Sequence, residues 1–135
     1  MPGSFIDSNV LIYLASTDMA KADRAEAIVA GGGVISVQVL NECASVCRRK
    51  MGLSWAETRT FLAQLRDLLI VKPLAVETHL AGLALAERYQ LQTYDAMIVA
   101  SALDAGCDTL WTEDMQHGMA LAEGVRIVNP FRSEG

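Results

Sequence analysis

Histidine and cysteine are scarce in the sequence, and this limits the metal sites and disulfides that it could form. The 135 residues include two histidines and three cysteines. His79 and His117 are solitary, and no second Cys/His pair stands at ligand spacing from Cys43 and Cys47, so a zinc site is not expected. Because the cysteines, with Cys107, are odd in number and lie in apolar periodic segments, reduced core thiols are favoured over a disulfide framework.

The sequence also lacks any long uncharged apolar run and any excess of positive charge. No run reaches the roughly 18 to 20 residues that a membrane helix needs, and the amino terminus lacks the basic start of a signal peptide. We therefore expect a soluble, cytoplasmic protein with no membrane partner. The net charge of -5 argues against nonspecific coating of nucleic acid, because such binding depends on Lys and Arg neutralising phosphates.

Proline-rich linkers, low-complexity tracts and internal repeats are absent as well, which indicates a single domain. A chain of 135 residues with 52% hydrophobic content is long enough to bury a core and too short for two domains. We expect one domain over residues 1–135, in which residues 1–4 are flexible and contribute nothing to the site.

Short β-rich runs alternate with helical segments along the chain. The β-rich runs are SFI before Asp7, VISV at 34–37, LLIV at 68–71, CDTLW at 107–111 and VRIV at 125–128. The helical segments are 18–30 before the glycines 31–33, VLNECASVCRRK, the segment opened by the capping box Ser54 to Glu57, VETHLAGLALAERYQ and LQTYDAMIVASAL. Strands joined by crossover helices predict a three-layer α/β/α domain with a parallel sheet, whose ligands bind at the carboxyl ends of the strands.

Two acidic residues fall at that edge of the predicted sheet. Asp7 directly follows SFI, and Asp114 lies just beyond CDTLW. The simpler interpretation is that DSN and TED are helix-capping turns, which Asp, Ser, Thr and Asn favour. Both interpretations stay open from these residues alone.

Two further acidic residues lie in helical segments that are otherwise apolar. Glu42 sits at the margin of an apolar stripe that includes Val39 and Cys43. Asp95 is the one side chain in LQTYDAMIVASAL that is charged at neutral pH. A position in the first helical turn, with Thr93 as cap, explains part of its tolerance, but a dipole energy of about 0.3 to 1 kcal/mol does not offset the burial of a charge. Asp95 therefore needs a stronger partner.

Convergence of these four carboxylates at the carboxyl edge of the sheet would provide such a partner. At about 6 Å and an effective dielectric constant near 20, each like-charge pair repels by roughly 3 kcal/mol. Several such pairs rival the 5 to 15 kcal/mol, roughly, that stabilises a domain. Either one or more carboxylates are protonated, or a hard divalent cation lies among them, and ligation by oxygen alone selects Mg²⁺ or Mn²⁺.

Five blocks of the sequence, in this order and at this spacing, resemble the PIN-domain family, and specifically the VapC-type toxins of bacterial toxin-antitoxin pairs. They are FIDSNVLIYL, the helix with Glu42, TYDAMIVASAL, LWTEDMQHG and IVNPF, and together they run from Phe5 to Phe131. The resemblance implies an α/β/α PIN fold and an Mg²⁺- or Mn²⁺-dependent ribonuclease that hydrolyses RNA with a metal-activated water and leaves 5′-phosphate and 3′-hydroxyl ends.

The resemblance also implies roles for individual residues. The acidic positions of the family match Asp7, Glu42, Asp95 and Asp114. Asp7 and Asp95 are then expected to bind the metal directly, and Glu42 and Asp114 directly or through water. Asn9 and Thr112 match polar positions that support the site, whereas Glu113 aligns with a variable position and is left out.

The basic run Arg48-Arg49-Lys50, at the end of the Glu42 helix, is the candidate for RNA binding. The alternative is a solvated helix terminus, where cations are favoured by the helix dipole.

Partner proteins are also implied by the resemblance: a VapB-like antitoxin bound in a hydrophobic groove, with a basic side chain reaching the acidic cluster, and a second copy of the chain in a homodimer. Val10, Leu11, Ile12, Leu14, Trp55 and Phe61 are either core or part of such a groove.

Two other functions stay open. A phosphatase of the haloacid dehalogenase kind also has Asp after its first strand, but it needs a second Asp where Asn9 stands and a Lys late in the chain. The other alternative is a module that uses the PIN fold only to bind a partner, without catalysis.

Overall fold

The sheet has five parallel strands, with the first strand of the chain at its centre. The computed structural model describes residues 3–132. The strands are β1 (Ser4–Ile6), β2 (Val34–Ser36), β3 (Ile70–Lys72), β4 (Thr109–Trp111) and β5 (Arg126–Val128). Neighbouring strands pair in parallel in the order β3-β2-β1-β4-β5. The predicted α/β fold with a central parallel sheet is confirmed.

The strand order reverses at β1, and this reversal fixes where a site can form. The chain builds β2 and β3 on one side of β1, then β4 and β5 on the other. In open parallel sheets, the crevice at such a switch point lies outside the carboxyl ends of the strands. Asp7 follows β1 and Thr112 follows β4, and the Asp7 N–H donates to the Trp111 carbonyl at 2.9 Å. The two strand ends are thus held together at the switch point.

Within the described residues, helices connect the strands from β1 to β4, and a loop connects β4 to β5. The helices are α1 (Ser8–Leu11), a 3-10 helix (Ile12–Ala15), α2 (Met19–Ala30), α3 (Val37–Arg49), α4 (Trp55–Leu68), α5 (Val76–Tyr89) and α6 (Thr93–Asp104). The predicted capping box at the start of α4 is confirmed: the Glu57 N–H donates to the Ser54 hydroxyl at 3.0 Å and the Ser54 N–H donates to the Glu57 carboxylate at 2.8 Å. Helix α2 ends at Ala30, with Gly31 as its C-cap, as the triple glycine predicted.

Several predicted boundaries are wrong. The run LLIV was predicted as a strand from Leu68, but α4 continues through Leu68 and β3 begins at Ile70. An apolar run between a helix and a strand fits either element, so the pattern did not locate the junction. Similarly, β4 begins at Thr109 and β5 at Arg126, later than predicted. Ser4, expected to be flexible, is part of β1; Met1 and Pro2 of that expected segment lie outside the described residues.

Two helix starts also differ from the prediction, for local reasons. Val37 opens α3 rather than ending a strand, because the Ser36 side chain accepts from the Val39 N–H and caps the helix. Helix α6 begins at Thr93 itself, with Gln92 at the cap position and no side-chain capping bond. Thr93 is therefore not the cap of the helix that contains Asp95.

The core lies on both faces of β1. Phe5 and Ile6 are fully buried, and the cysteines are buried thiols, as predicted. The apolar residues that the sequence left open as core or groove differ in burial. Val10 and Leu11 are fully buried, and Ile12, Leu14 and Phe61 are partly buried against the core. Trp55, by contrast, is 57% exposed.

Helix α5 packs closely on α6 through a glycine. A Cβ atom on Gly82 would overlap the sulfur of Met97, which lies two residues after Asp95 on α6. The absence of a side chain at Gly82 therefore determines how near α6 lies to α5. Within residues 3–132, no helix is both long and apolar enough to cross a membrane.

Candidate active site

Asp7 lies between β1 and α1 and is buried, with 4% of its surface exposed. Its Oδ1 atom accepts a hydrogen bond from the Ser8 N–H at 2.8 Å, so Asp7 does cap the short helix α1. Its Oδ2 atom accepts from the Thr112 hydroxyl at 2.9 Å and from Asn9 Nδ2 at 3.2 Å. The capping interpretation and the site interpretation of Asp7 are therefore compatible.

Asn9 and Thr112 join the two strand ends around Asp7. Asn9 Nδ2 donates to Thr112 Oγ1 at 2.9 Å, and Asn9 Oδ1 accepts from the Glu113 N–H at 3.0 Å. The Thr112 hydroxyl also accepts from the Asp114 N–H at 3.3 Å. Because Thr112 is fully buried, these bonds fix the loop that contains Asp114 relative to Asp7.

Ser8 links Asp7 to Glu42. The Ser8 hydroxyl lies 3.3 Å from Oε1 of Glu42 and 3.5 Å from Oδ1 of Asp7. Glu42 is on α3, half-buried, one turn beyond the fully buried Val39. Sequence reasoning did not select Ser8 for this role, although its position between Asp7 and Asn9 in the DSN block was the available signal.

Asp95 and Asp114 complete one acidic cluster with Asp7 and Glu42. Asp95 is half-buried in the first turn of α6, and Asp114 is exposed in the loop after β4. Burial first, and then the charge of Asp114, raises the pKa of Asp95. Burial is also the main cause of a raised pKa at Glu42, to which the charges of Asp95 and Asp114 add while the hydrogen bond from Ser8 opposes it.

The largest pKa shift in the acidic cluster is that of Asp7, its most buried carboxylate. Burial raises the pKa of Asp7 to about 6, opposed by the hydrogen bonds from Thr112 and Ser8 and increased by the charges of Glu42 and Asp95. The structure therefore brings the predicted carboxylates within electrostatic reach of one another. Neither ion pair found among residues 3–132 involves any of them.

The donors of this cluster suit a hard divalent cation, although their present positions do not form a finished metal site. All are carboxylate oxygens, which Mg²⁺ and Mn²⁺ prefer. The side chains of Asp95 and Asp114 make no hydrogen bond within the described residues, so their oxygens are available as ligands. Within residues 3–132, however, no three Asp, Glu, His or Cys side chains are grouped closely enough to hold an ion together. The ionised carboxylates repel one another and stay apart when no ion is bound. Binding of an ion would therefore require the side chains to move closer together or water molecules to bridge them to the ion.

The predicted RNA-binding run divides into two parts. Arg49 lines the clefts beside Glu42, and Lys50 lines one of them together with Ser8. Arg48 points elsewhere: its Nη1 donates to the Leu53 carbonyl at 2.7 Å and its guanidinium lies 4.3 Å from the centre of the Trp55 ring. Only part of the basic run therefore faces the acidic cluster.

A second network, which sequence reasoning missed, stabilises the loop after β4. The Tyr13 hydroxyl donates to Glu113 Oε1 at 2.6 Å, and Lys21 Nζ lies 3.4 Å from Oε2 of Glu113. Lys21 Nζ also lies 4.7 Å above the Tyr13 ring. Nothing in the local sequence pattern relates these positions, because the contacts join the 3-10 helix, α2 and the loop.

Comparisons with solved structures support the fold. A toxin-antitoxin complex from Klebsiella pneumoniae has a TM-score of 0.73 at 19% identity, over 96% of this chain and 99% of that one. The sarcin-ricin loop cleaving toxin VapC20 of Mycobacterium tuberculosis has a TM-score of 0.68 at 18% identity, over 82% and 89%. PAE2754 of Pyrobaculum aerophilum has a TM-score of 0.61 at 19% identity, over 94% and 90%.

The sequence comparisons are more specific about the family. No curated protein sequence matches the chain significantly. The family model of the PIN domain, by contrast, matches residues 4–118, which include β1 to β4 and all the acidic residues of the cluster. The protein therefore belongs to the PIN domain family.

Proposed function

We propose that the protein is an Mg²⁺- or Mn²⁺-dependent endoribonuclease. The observation that supports this most directly is the acidic cluster: Asp7, Glu42, Asp95 and Asp114 lie at the carboxyl edge of the sheet, influence one another electrostatically and have no basic partner in an ion pair within residues 3–132. Burial first, and then the charges of Glu42 and Asp95, raise the pKa of Asp7, and a cation would stabilise its ionised form against both. Membership of the PIN family is consistent with this activity.

Each carboxylate has an expected part in metal binding. Asp7 and Asp95 are the proposed direct ligands, and Glu42 and Asp114 bind directly or through water. When bound, Mg²⁺ or Mn²⁺ at such a site screens the phosphate charge, lowers the pKa of a coordinated water and stabilises the leaving oxygen. The expected products have 5′-phosphate and 3′-hydroxyl ends.

The surrounding residues orient the acidic groups. Thr112 and Asn9 donate to one oxygen of Asp7, which directs the other towards Ser8 and Glu42. Arg49 and Lys50 lie where they can bind a phosphate beside the cluster. Among residues 3–132, no His or Lys side chain hydrogen-bonds to Asp7, and Lys21, which reaches the loop after β4, is paired with Glu113.

The test is incubation of the purified protein, free of any partner, with total RNA in the presence of Mg²⁺, Mn²⁺ or a chelator. We expect cleavage that requires the metal, with new 5′-phosphate ends located by sequencing. Asp7→Asn and Asp95→Asn are expected to abolish cleavage, whereas Glu26→Gln, an exposed acidic position on α2, should leave it unchanged. Cleavage in chelator, or equal cleavage by Asp95→Asn, would contradict the proposal.

We further propose that this nuclease acts in the cytoplasm as the toxin of a toxin-antitoxin pair. Two of the structures that the fold resembles are a toxin and a toxin-antitoxin complex. Expression of the wild-type chain is expected to arrest growth, and Asp7→Asn should remove this effect. An Asp7→Asn protein that still arrests growth would favour the non-catalytic binding module instead.

The proposed antitoxin is a VapB-like protein that covers the exposed Trp55 and the partly buried Phe61 on α4. A basic side chain of that partner would be attracted to the acidic cluster for the same reason as a cation. Co-expression of such a partner should protect cells from the wild-type chain. Trp55→Glu is expected to prevent this protection while cleavage of RNA continues.

A homodimer is proposed on the basis of an exposed apolar face of α5. Val76, Leu80 and Leu83 follow one another at helical spacing and are 69%, 58% and 44% exposed. Burial of this face between two copies would remove it from water. Sedimentation should give a dimer for the wild-type chain and a monomer for Leu80→Glu.

A further inference from the structure

The polar face of α3 forms one wall of a groove beside the acidic cluster. Gln38, Asn41, Glu42 and Arg49 lie at helical spacings of three, four and seven residues, so they face the same side of α3. The opposite wall includes Tyr94, and the groove has a volume of about 670 Å³. Because Glu42 belongs to both the groove and the acidic cluster, the two are continuous.

Tyr94 places an exposed aromatic ring beside the acidic cluster. It directly precedes Asp95 in the first turn of α6, and it is 68% exposed. Gln38 Nε2 lies 3.4 Å from the Tyr94 carbonyl, so the backbone at the ring is linked to α3. The ring is therefore exposed to water in the first turn of α6, beside a residue that we propose binds the metal.

The groove offers the groups that bind a nucleotide in single-stranded RNA. An exposed aromatic ring can stack on the face of an unpaired base. Such stacking accepts any of the four bases, because each has a flat aromatic face. The amides of Gln38 and Asn41 are both donors and acceptors, as the edge of a base requires. Arg49 supplies a positive charge for a phosphate.

We propose that this groove binds the base of a nucleotide adjacent to the cleaved phosphodiester, with Tyr94 as the stacking platform. The inference rests on the proposed nuclease function, and it adds a base-binding role for Tyr94 and the groove on α3. The ring can reach only a base with a free face, because in a duplex the faces of the bases are covered by their neighbours.

The test uses a short single-stranded oligoribonucleotide that contains a phosphodiester cut by the wild-type protein. Two further probes lack the base on one or the other side of that bond. For the wild-type protein, removal of one of these bases should lower kcat/KM by roughly fivefold or more, as expected for the loss of one stacked base. Tyr94→Ala should lose a similar factor on the intact probe and should be insensitive to removal of the base.

Two variants serve as controls. Tyr94→Phe retains the ring and should behave as the wild-type protein does. Leu68→Ala removes a side chain of similar exposure, 60%, at the end of α4 outside the groove, and should also leave kcat/KM unchanged. Since the Tyr94 ring is exposed, thermal melting should show that all three variants fold.

The outcomes separate this inference from the function on which it rests. A wild-type protein that cuts no RNA with Mg²⁺ or Mn²⁺ removes the proposed function and this inference with it. Normal cleavage by Tyr94→Ala, wild-type sensitivity of Tyr94→Ala to removal of the base, or a Tyr94→Phe protein as impaired as Tyr94→Ala would overturn the inference alone.

Discussion

The Thr112 hydroxyl lies 2.9 Å from Oδ2 of Asp7 and joins residues that are 105 positions apart in the chain. The same hydroxyl accepts from Asn9 Nδ2 and from the Asp114 N–H, at 2.9 and 3.3 Å. One buried side chain therefore orients the most buried carboxylate and the loop that contains the most exposed one. Its removal should affect both stability and activity.

Replacement of Thr112 by Val keeps the shape of the side chain and removes these hydrogen bonds. Because Asp7 and Asn9 would lose a buried partner, the free energy of unfolding is expected to fall by roughly 1 to 3 kcal/mol. Urea denaturation measures this loss, and metal-dependent RNA cleavage should fall as well. Thr112→Ser retains the hydroxyl and should recover most of the activity. Equal cleavage by Thr112→Val and the wild-type protein would contradict a positioning role.

The pH dependence of stability should reveal the buried Asp7 in the metal-free protein. Its pKa is about 6 in the folded chain against an ordinary value of 3.8, so the folded state binds a proton more tightly than the unfolded state does. The contribution of Asp7 to the free energy of unfolding is therefore fully present below about pH 4 and is lost as the pH rises through about 6. At about 1.4 kcal/mol per pH unit, the loss is on the order of 2 to 3 kcal/mol.

The measurement is urea unfolding at a series of pH values in chelator, for the wild-type protein and for Asp7→Asn, which cannot titrate at this position. The stability of the wild-type protein relative to the variant should fall between about pH 4 and pH 6. Saturating Mg²⁺ should prevent this fall by stabilising the ionised carboxylate. Parallel curves for the two proteins in chelator would show that Asp7 does not titrate in this range.

The convergence of the four carboxylates could be predicted from the sequence because two local signals point to it. Asp7 and Asp114 follow strand-like runs, and the carboxyl ends of parallel strands meet at one edge. Glu42 and Asp95 are charges in otherwise apolar helical segments, where burial is unfavourable without a partner. Both signals depend only on the spacing of apolar residues and on the order of segments along the chain, and both can be read directly from the sequence.

Other features could not be predicted because they depend on contacts between distant segments. The Ser8 hydroxyl approaches Glu42 across 34 positions, and the Tyr13 hydroxyl meets Glu113 across 100. The junction near Leu68 was misplaced because four apolar residues fit the end of a helix and the start of a strand equally well. The different directions of Arg48 and Arg49, by contrast, have local causes: the two residues are about 100° apart on α3, and Arg48 bonds to the nearby Leu53 carbonyl.

Arg48 and Arg49 should therefore behave differently when each is replaced by Ala. Arg49→Ala should lower kcat/KM for RNA several-fold and reduce the dependence of binding on salt, because a phosphate contact is lost. Arg48→Ala should leave RNA cleavage unchanged. It should instead lower the free energy of unfolding by about 1 kcal/mol, through loss of the bond to the Leu53 carbonyl and the contact with the Trp55 ring.

Steady-state kinetics at several salt concentrations and urea denaturation separate these effects. The two variants have the same change in charge and differ in position by one residue, so each is the control for the other. Equal loss of cleavage in both would indicate that the whole basic run binds RNA. Equal loss of stability in both would contradict the specific contacts of Arg48.

Gly82 offers a test of how the packing of α5 against α6 supports Asp95. An Ala side chain at Gly82 would overlap the sulfur of Met97, which is buried, so α6 or Met97 must move. Overpacking of this kind costs roughly 1 to 3 kcal/mol, partly offset by a helix preference of about 1 kcal/mol for Ala over Gly. Gly82→Ala should therefore be modestly less stable and, because Asp95 lies on the displaced helix, should bind Mn²⁺ more weakly.

Met97→Ala creates space at the same contact, so the double variant should lose less stability than the two single losses added together. Urea denaturation of the four proteins gives the coupling, and additive losses would show that Gly82 and Met97 do not constrain each other.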